Sequence, residues 1–170
     1  MNITAGKYKG RKILAPDEKI TRPTLSKIRM AVFNTLQSLI DFEGSSFLDM
    51  FAGSGIMGLE AISRGFEKVV AIEQNPKVLT VLNENYKTLN VKPNILRGDS
   101  LKIIPNDFFD VIYIDPPYYA GIYEKILSVL PKCNIIVIEH VTNIDFDNFK
   151  ILKQKKYGDK FLTYLKPLNK

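Results

Sequence analysis

The apolar positions of this chain keep one rhythm up to about residue 45 and another after it. Ile28, Ala31, Val32, Leu36, Leu39 and Ile40 recur at the spacing of one helix face, which predicts a helix over residues 26–40. Upstream, residues 3–5 and 11–14 flank the turn Gly6-Lys7-Tyr8-Lys9-Gly10 in a hairpin pattern, and residues 16–23 read as loop. From Ser46, short apolar runs alternate with amphipathic stretches, the rhythm of a parallel α/β sheet. Strands are expected at 47–51, 68–73, 94–97, 111–115 and 135–139, with helices at 56–64, 76–89 and 122–130. Asn75-Pro76 is a helix start, with Asn as N-cap and Pro in the first turn, and Asn90 is a stop. Only about ten residues separate the fifth strand from Lys150, so any helix there is short. Residues 151–155 and 161–166 alternate well around Tyr157-Gly158-Asp159-Lys160, a second hairpin.

The fourth run, Val111-Ile112-Tyr113-Ile114, is stopped by Asp115-Pro116-Pro117-Tyr118. The prolines fix φ and stiffen the turn, so a carboxylate and an aromatic ring stand on a rigid bend at a strand end. That pair suits a flat group carrying an amine. Asp115 or a nearby carbonyl accepts from its N–H, and Tyr118 stacks on its face. A capping Asp before a tight turn gives the same pattern, so other residues must decide.

Between the first strand and its helix lies Asp49-Met50-Phe51-Ala52-Gly53-Ser54-Gly55-Ile56-Met57-Gly58, which contains G-x-G-x-x-G. Glu73 follows Gly53 by twenty residues, at the end of the next strand. The pattern fits an adenosine-type cofactor: the glycines admit it to the backbone, and the acid can hold ribose hydroxyls. It does not say which cofactor. Ligands of such sheets sit at the carboxyl ends of the strands, and here those ends carry Asp49, Glu73, Asp99, Asp115 and Glu139. A pyrophosphate would face several carboxylates, with no basic residue in the glycine turn. S-adenosylmethionine has no phosphate and brings a sulfonium and an ammonium, which acids favour. Asp49, with Phe51, Ala52, Gly53 and Gly55, suits its methionine end. Glu73 and Gln74 suit the ribose, Asp99 and Ser100 the adenine, and Asp115 borders the cofactor as well. Each acid singly could equally be an N-cap or a surface charge.

With a methyl donor in place, Asp115, Pro116, Pro117 and Tyr118 become the acceptor side. Hydrogen bonds from an exocyclic amine to the Asp115 side chain and the Pro116 carbonyl favour a pyramidal nitrogen aimed at the methyl group, and Tyr118 holds the base. Catalysis is then mostly orientation, leaves S-adenosylhomocysteine and needs no metal. The base must be unpaired or flipped out. Methylation at a pyrimidine carbon normally needs a cysteine nucleophile, and Cys133 lies just before the fifth strand, away from the turn.

Composition narrows the setting. The 170 residues suit one domain, and 45% hydrophobic with 25% charged content is that of a soluble globular chain. There is no long apolar run for a membrane span and no secretory pattern at the N-terminus. One cysteine fits a reducing compartment, so a cytoplasmic location is expected. One Cys and one His leave little material for a zinc cluster or a His-based triad. The net charge of +6 is uneven: residues 1–30 carry +6, residues 150–170 carry +6 and the middle carries −6. Basic ends suit a polyanion such as nucleic acid, and an acidic middle suits a cationic ligand.

Several motifs together resemble the RsmD family of bacterial 16S rRNA guanine-N2 methyltransferases. They are Ala5-Gly6 with Lys9-Gly10-Arg11, Thr21-Arg22-Pro23-Thr24 with the Arg29 helix, Phe51-Ala52-Gly53-Ser54-Gly55, and Asp115-Pro116-Pro117-Tyr118. The glycine and proline motifs are shared by many amino-methyltransferases; the N-terminal set is the specific part. The resemblance implies a Rossmann-like class I methyltransferase: a seven-stranded, mostly parallel sheet whose last strand is antiparallel. It implies one methyltransferase domain over 1–170, with a basic RNA-binding extension over 1–45 and the catalytic sheet over 46–170. It implies a guanine of 16S rRNA as target, presented by a small ribosomal subunit or an assembly intermediate, with Lys9, Arg11, Arg22 and Arg29 facing the RNA. A monomer is expected. The chain is short after the fifth strand, which leaves the C-terminal lysines without a role.

Other readings stay open on residues alone. A DNA adenine-N6 methyltransferase fits the proline turn, but little chain remains to read DNA sequence. Glutamine methylation of a protein fits the turn and not the basic ends. A non-catalytic RNA-binding factor would not need Asp115, and an NAD-dependent oxidoreductase is opposed by the acids.

Overall fold

A computed structural model describes residues 1–20 and 24–168. In chain order the elements are α1 (Ser26–Leu39), β1 (Ser46–Asp49), α2 (Ile56–Arg64), β2 (Lys68–Glu73), α3 (Pro76–Thr88) and β3 (Ile95–Arg97). Then come β4 (Phe109–Ile114), α4 (Ile122–Ser128), β5 (Cys133–His140), β6 (Phe149–Tyr157) and β7 (Lys160–Pro167). The seven strands form one sheet in the order β3-β2-β1-β4-β5-β7-β6. β1 to β5 pair in parallel, whereas β7 lies antiparallel between β5 and β6. This is the expected Rossmann-like arrangement.

Parallel strands covered on both faces read as near-continuous apolar runs. Phe47, Val69, Val111 and Tyr113 join α1, α2 and α3 in one core; Leu48, Val70, Ile112 and Ile136 join α4 and Phe146 in the other. Phe33, Phe42, Phe47 and Phe66 meet ring to ring on the first face. The register sets Asp49 level with Ala71 on one side and Tyr113 on the other, which lines up the carboxyl ends of the strands.

One expectation changes. The N-terminal segment is a loop hairpin with one ladder bridge, Asn2 to Lys12, and not two full strands. Its backbone also pairs with α2: the Lys7 N–H donates to the Ser63 carbonyl at 2.7 Å, and the Ser63 hydroxyl donates to the Ala5 carbonyl. A Cβ on Gly6 would sit 1.8 Å from the Ser63 oxygen, so only glycine permits this approach. Between β5 and β6 the described residues form no helix, and the chain crosses as turns.

Glu60, on α2 and fully buried, ties the N-terminal segment down. It accepts from the Thr4 N–H at 2.8 Å and the Thr4 hydroxyl at 2.9 Å, and pairs with Arg29 and Arg64 at 3.4 Å each. Arg29, 2% exposed, also donates to the Thr24 and Asn2 carbonyls. Arg29→Met is expected to destabilise the fold by roughly 3 kcal/mol or more, because it strips a partner from a buried carboxylate. Urea unfolding of the variant measures this; an unchanged midpoint would refute the buried-strut role.

Candidate active site

The acids collect at the carboxyl end of the sheet. Asp49 closes β1 and is 1% exposed. Burial pushes its carboxyl up to about 8, against the hydrogen bond from the Phe51 N–H, and the negative fields of Asp115, Glu73 and Glu139 add to the rise. Four of the five predicted acids therefore share one field. Asp99 caps the turn after β3, accepting from the Leu101 N–H at 2.9 Å. The adjacent Ser100 hydroxyl is buried and donates to the Met50 carbonyl beside Asp49.

The glycine turn is shaped by α3. Gly53 and Gly55 have φ of 56° and 83°. A Cβ on Gly55 would press on Tyr86 at 3.0 Å, and one on Gly58 would come within 2.7 Å of the Tyr86 hydroxyl. Two of the three motif glycines thus serve close packing against the tyrosine. Glu73 accepts from the N–H groups of Gly53, Gln74 and Asn75, each at 2.9 Å, which fills three of its roughly four acceptor positions and locks the turn to β2. Asn75 caps α3 as expected, accepting from Lys77 and Val78. Gln74 is exposed beside these groups. The turn residues Phe51 and Ala52 continue from Asp49, and the Ala52 N–H donates to the Ile72 carbonyl.

The proline turn leaves β4 next to β1. Since Asp49 is level with Tyr113, Asp115 stands two residues further along the neighbouring strand. Pro116 is buried, Pro117 exposed, and the Tyr118 and Tyr119 rings are 42% and 50% exposed. Lys160, the first residue of β7, enters this corner from the far hairpin. Its ammonium lies 2.6 Å from Glu139, 3.6 Å from Asp115 and 5.7 Å from the Tyr118 ring centre. Burial works against its charge, but the Asp115 and Glu139 carboxylates outweigh it and hold the ammonium protonated well above the ordinary lysine range. Glu139 is fully buried and also accepts from the Tyr113 hydroxyl. Sequence reasoning missed Lys160. Its only signal is that the hairpin turn ends on it, and a lysine in a lysine-rich segment attracts no notice.

The predicted RNA-facing set does not gather at this end. Arg29 is corrected: it is buried in the Glu60 network, so it offers no charge to an external phosphate. Lys9 is exposed, and Arg11 donates to the Thr88 carbonyl at the last turn of α3. α3 begins beside Glu73 and is 13 residues long, so Arg11 lies about 20 Å from the acids. Arg22 lies outside the described residues. Burial pushes the Cys133 thiol up to about 12, which leaves it no thiolate for nucleophilic chemistry at neutral pH.

The donor set fits a cationic cofactor. A buried carboxyl surrounded by three further acids, with no cation in the glycine turn, would repel phosphate and welcome an ammonium or a sulfonium. No group of described residues gathers three or more metal-ligating side chains.

Residues 1–166 match the family described as Conserved hypothetical protein 95. The ribosomal RNA small subunit methyltransferase D of Buchnera aphidicola subsp. Acyrthosiphon pisum is 39% identical over 132 residues, covering 75% of this chain and 68% of that protein. The protein of the same name from Haemophilus influenzae is 31% identical over 174 aligned positions, covering 93% and 89%. A solved putative methylase from Haemophilus influenzae superposes with a TM-score of 0.79 at 29% identity, over 99% of this chain and 98% of that one.

Asp49→Asn probes the buried acid. A carboxyl raised from 3.8 to about 8 costs the ligand-free fold stability as pH rises between those values. The variant is expected to be as stable as the wild type near pH 4 and more stable by on the order of a few kcal/mol at pH 8. Thermal melts across that range measure the difference; parallel curves would show that Asp49 is not held neutral.

Proposed function

The chain belongs to the family described as Conserved hypothetical protein 95, that of ribosomal RNA small subunit methyltransferase D, and from that premise we propose that it methylates the exocyclic N2 of a guanine in 16S rRNA. The methyl donor is S-adenosylmethionine. The observation that carries the reading is the pairing of a buried, acid-surrounded Asp49 with Asp115 on the next strand, a cation site beside an amine-accepting turn.

Asp49 and the backbone of Phe51, Ala52, Gly53 and Gly55 would hold the methionine end of the cofactor. Glu73, whose free acceptor position is on the oxygen facing the glycine turn, would take a ribose hydroxyl, with Gln74 beside it. Asp99 and Ser100 border the adenine side. When bound, the cofactor supplies an electrophilic methyl group and departs as S-adenosylhomocysteine.

The acceptor side is this chain's own work. The Asp115 carboxylate and the Pro116 carbonyl accept from the guanine amine and direct its lone pair, and Pro117 keeps the turn stiff. Tyr118, exposed on the turn, stacks on the base. Lys160 is a positioning residue: it holds Asp115 and Glu139 apart in charge and fixes the Asp115 carboxylate next to the Tyr118 ring. Such preorganised hydrogen bonding makes orientation the main catalytic contribution. Asp115 is a hydrogen-bond acceptor, and the released proton passes to water. The substrate is 16S rRNA in a small ribosomal subunit or an assembly intermediate, met by a monomer, with Lys9 and Arg11 contacting more distant phosphates and Arg22 also facing the RNA.

Labelled S-adenosylmethionine and small subunits lacking the modification test this directly. Label is expected on a guanine N2 of 16S rRNA; label on DNA adenine would overturn the substrate. Asp115→Ala is expected to lower transfer at least a hundredfold while calorimetry still detects cofactor binding, and unchanged turnover would remove Asp115 from the mechanism.

A further inference from the structure

We propose that the open edge of β6, together with Lys27 at the start of α1, is the surface that holds the RNA backbone beside the acceptor turn. It rests on the rRNA reading above and goes beyond it by placing the contact at a surface the N-terminal motifs do not include.

Among the described residues β6 is the last strand of the sheet, and one side of it carries no partner strand. The hairpin it forms with β7 holds Lys150, Lys153, Lys155, Lys156, Lys160 and Lys166 against the single acid Asp159. Cross-strand register sorts these lysines. Lys153 and Lys155 stand opposite Tyr164 and Leu162, whose side chains belong to the core under α1. Lys153 reaches the Thr35 hydroxyl on α1 at 3.3 Å. Tyr157 continues the same face, and its ring is flanked by the ammonium of Lys155 at 5.2 Å and of Lys27 at 5.8 Å. Two separate elements thus bring three cations and an aromatic ring to one strip.

The strip leads to the site. Tyr157 is paired across the hairpin with Lys160, and Lys160 lies 3.6 Å from Asp115. Cross-strand partners have Cα atoms about 5 Å apart, so Tyr157 stands one strand away from the acceptor corner. Arg11, by contrast, is a helix length away at the far end of α3. A polyanion that delivers a base to Tyr118 therefore meets Tyr157, Lys155 and Lys27 first. Phosphates would pair with the lysines, and Tyr157 offers a face for a flanking base.

Lysines along a sheet edge also discourage another strand from adding to it. That role is met by β6 alone. It gives no reason for Lys27 to converge on Tyr157 from α1.

The test compares two sets of variants for binding to unmodified small subunits over a range of salt. One carries Lys27→Gln, Lys153→Gln and Lys155→Gln. The other carries Lys150→Gln and Lys156→Gln, lysines outside the strip. Each phosphate contact contributes about 0.7–0.9 to the slope of log affinity against log salt, so the triple variant is expected to lose about 2 from the wild-type slope. Its cofactor affinity and thermal midpoint should match the wild type, and the control pair should leave the slope unchanged. An unaltered slope in the triple variant, or an equal loss per lysine in the control, overturns the surface. Wild-type protein that binds the subunits with no salt dependence would instead overturn the rRNA reading, and this surface with it.

Discussion

Much of this molecule depends on one carboxylate that water does not reach. Glu60 lies under the N-terminal segment and takes hydrogen bonds or ion pairs from Thr4, Arg29 and Arg64. Burying a carboxylate is costly unless its acceptor positions are filled by good partners. Here the partners come from the N-terminal segment, α1 and α2 itself. The requirement to satisfy Glu60 therefore fixes where Thr4 and the start of α1 lie on the sheet. Gly6 against Ser63 and Leu14 against Asn85 extend the same clamp along α2 and α3. Asn85 then donates to the Ser54 carbonyl, so the clamp reaches the glycine turn.

A second buried carboxylate is treated in the opposite way. Asp49 receives one long bond from the Phe51 N–H and stands in the field of three other acids. Glu60 has cations of its own; Asp49 has none within its turn. Fold stability alone would favour replacing such a group, and proteins keep costly groups where binding needs them. Its protonated state without a ligand, and the gain when a cation arrives, follow from the same desolvation. The contrast between the two acids sets a carboxylate that the fold supplies with cations apart from one that it surrounds with other acids.

The strand–helix alternation, the capped start of α3 at Asn75-Pro76, the turn at Asp115 and the terminal hairpin were all legible, because each rests on local chemistry or on period. The ends of β4 and β5 extended further than expected, since Phe109 and Cys133 pair across the sheet and pairing is not a local property. Gly58 reads as part of an adenosine-cofactor fingerprint, yet what demands a glycine there is the Tyr86 hydroxyl of another helix. Arg29 shows the main limit. Its charge was visible, its neighbours were not, and a cation in a basic segment looks the same whether it faces solvent or Glu60. Lys160 is the converse: it sits among surface lysines in sequence and beside Asp115 in space.

The antiparallel insertion of β7 explains how that last residue arrives. A parallel strand next to β5 would have ended, not begun, at the acidic end of the sheet. Because β7 runs the other way, its first residue lies there, opposite the carboxyl end of β5, where His140 pairs with Phe161 and Glu139 with Leu162. The two-residue turn before it brings Tyr157 to the same end. One tight hairpin therefore delivers a half-buried lysine to Asp115 and Glu139 and a half-buried tyrosine, flanked by Lys155 and Lys27, to the adjoining surface. Topology, charge and access to the site are joined at the turn over residues 157–160. Lys155 and Lys160, which look like part of a soluble tail in sequence, lie in the fold toward the end of the sheet that carries Asp115.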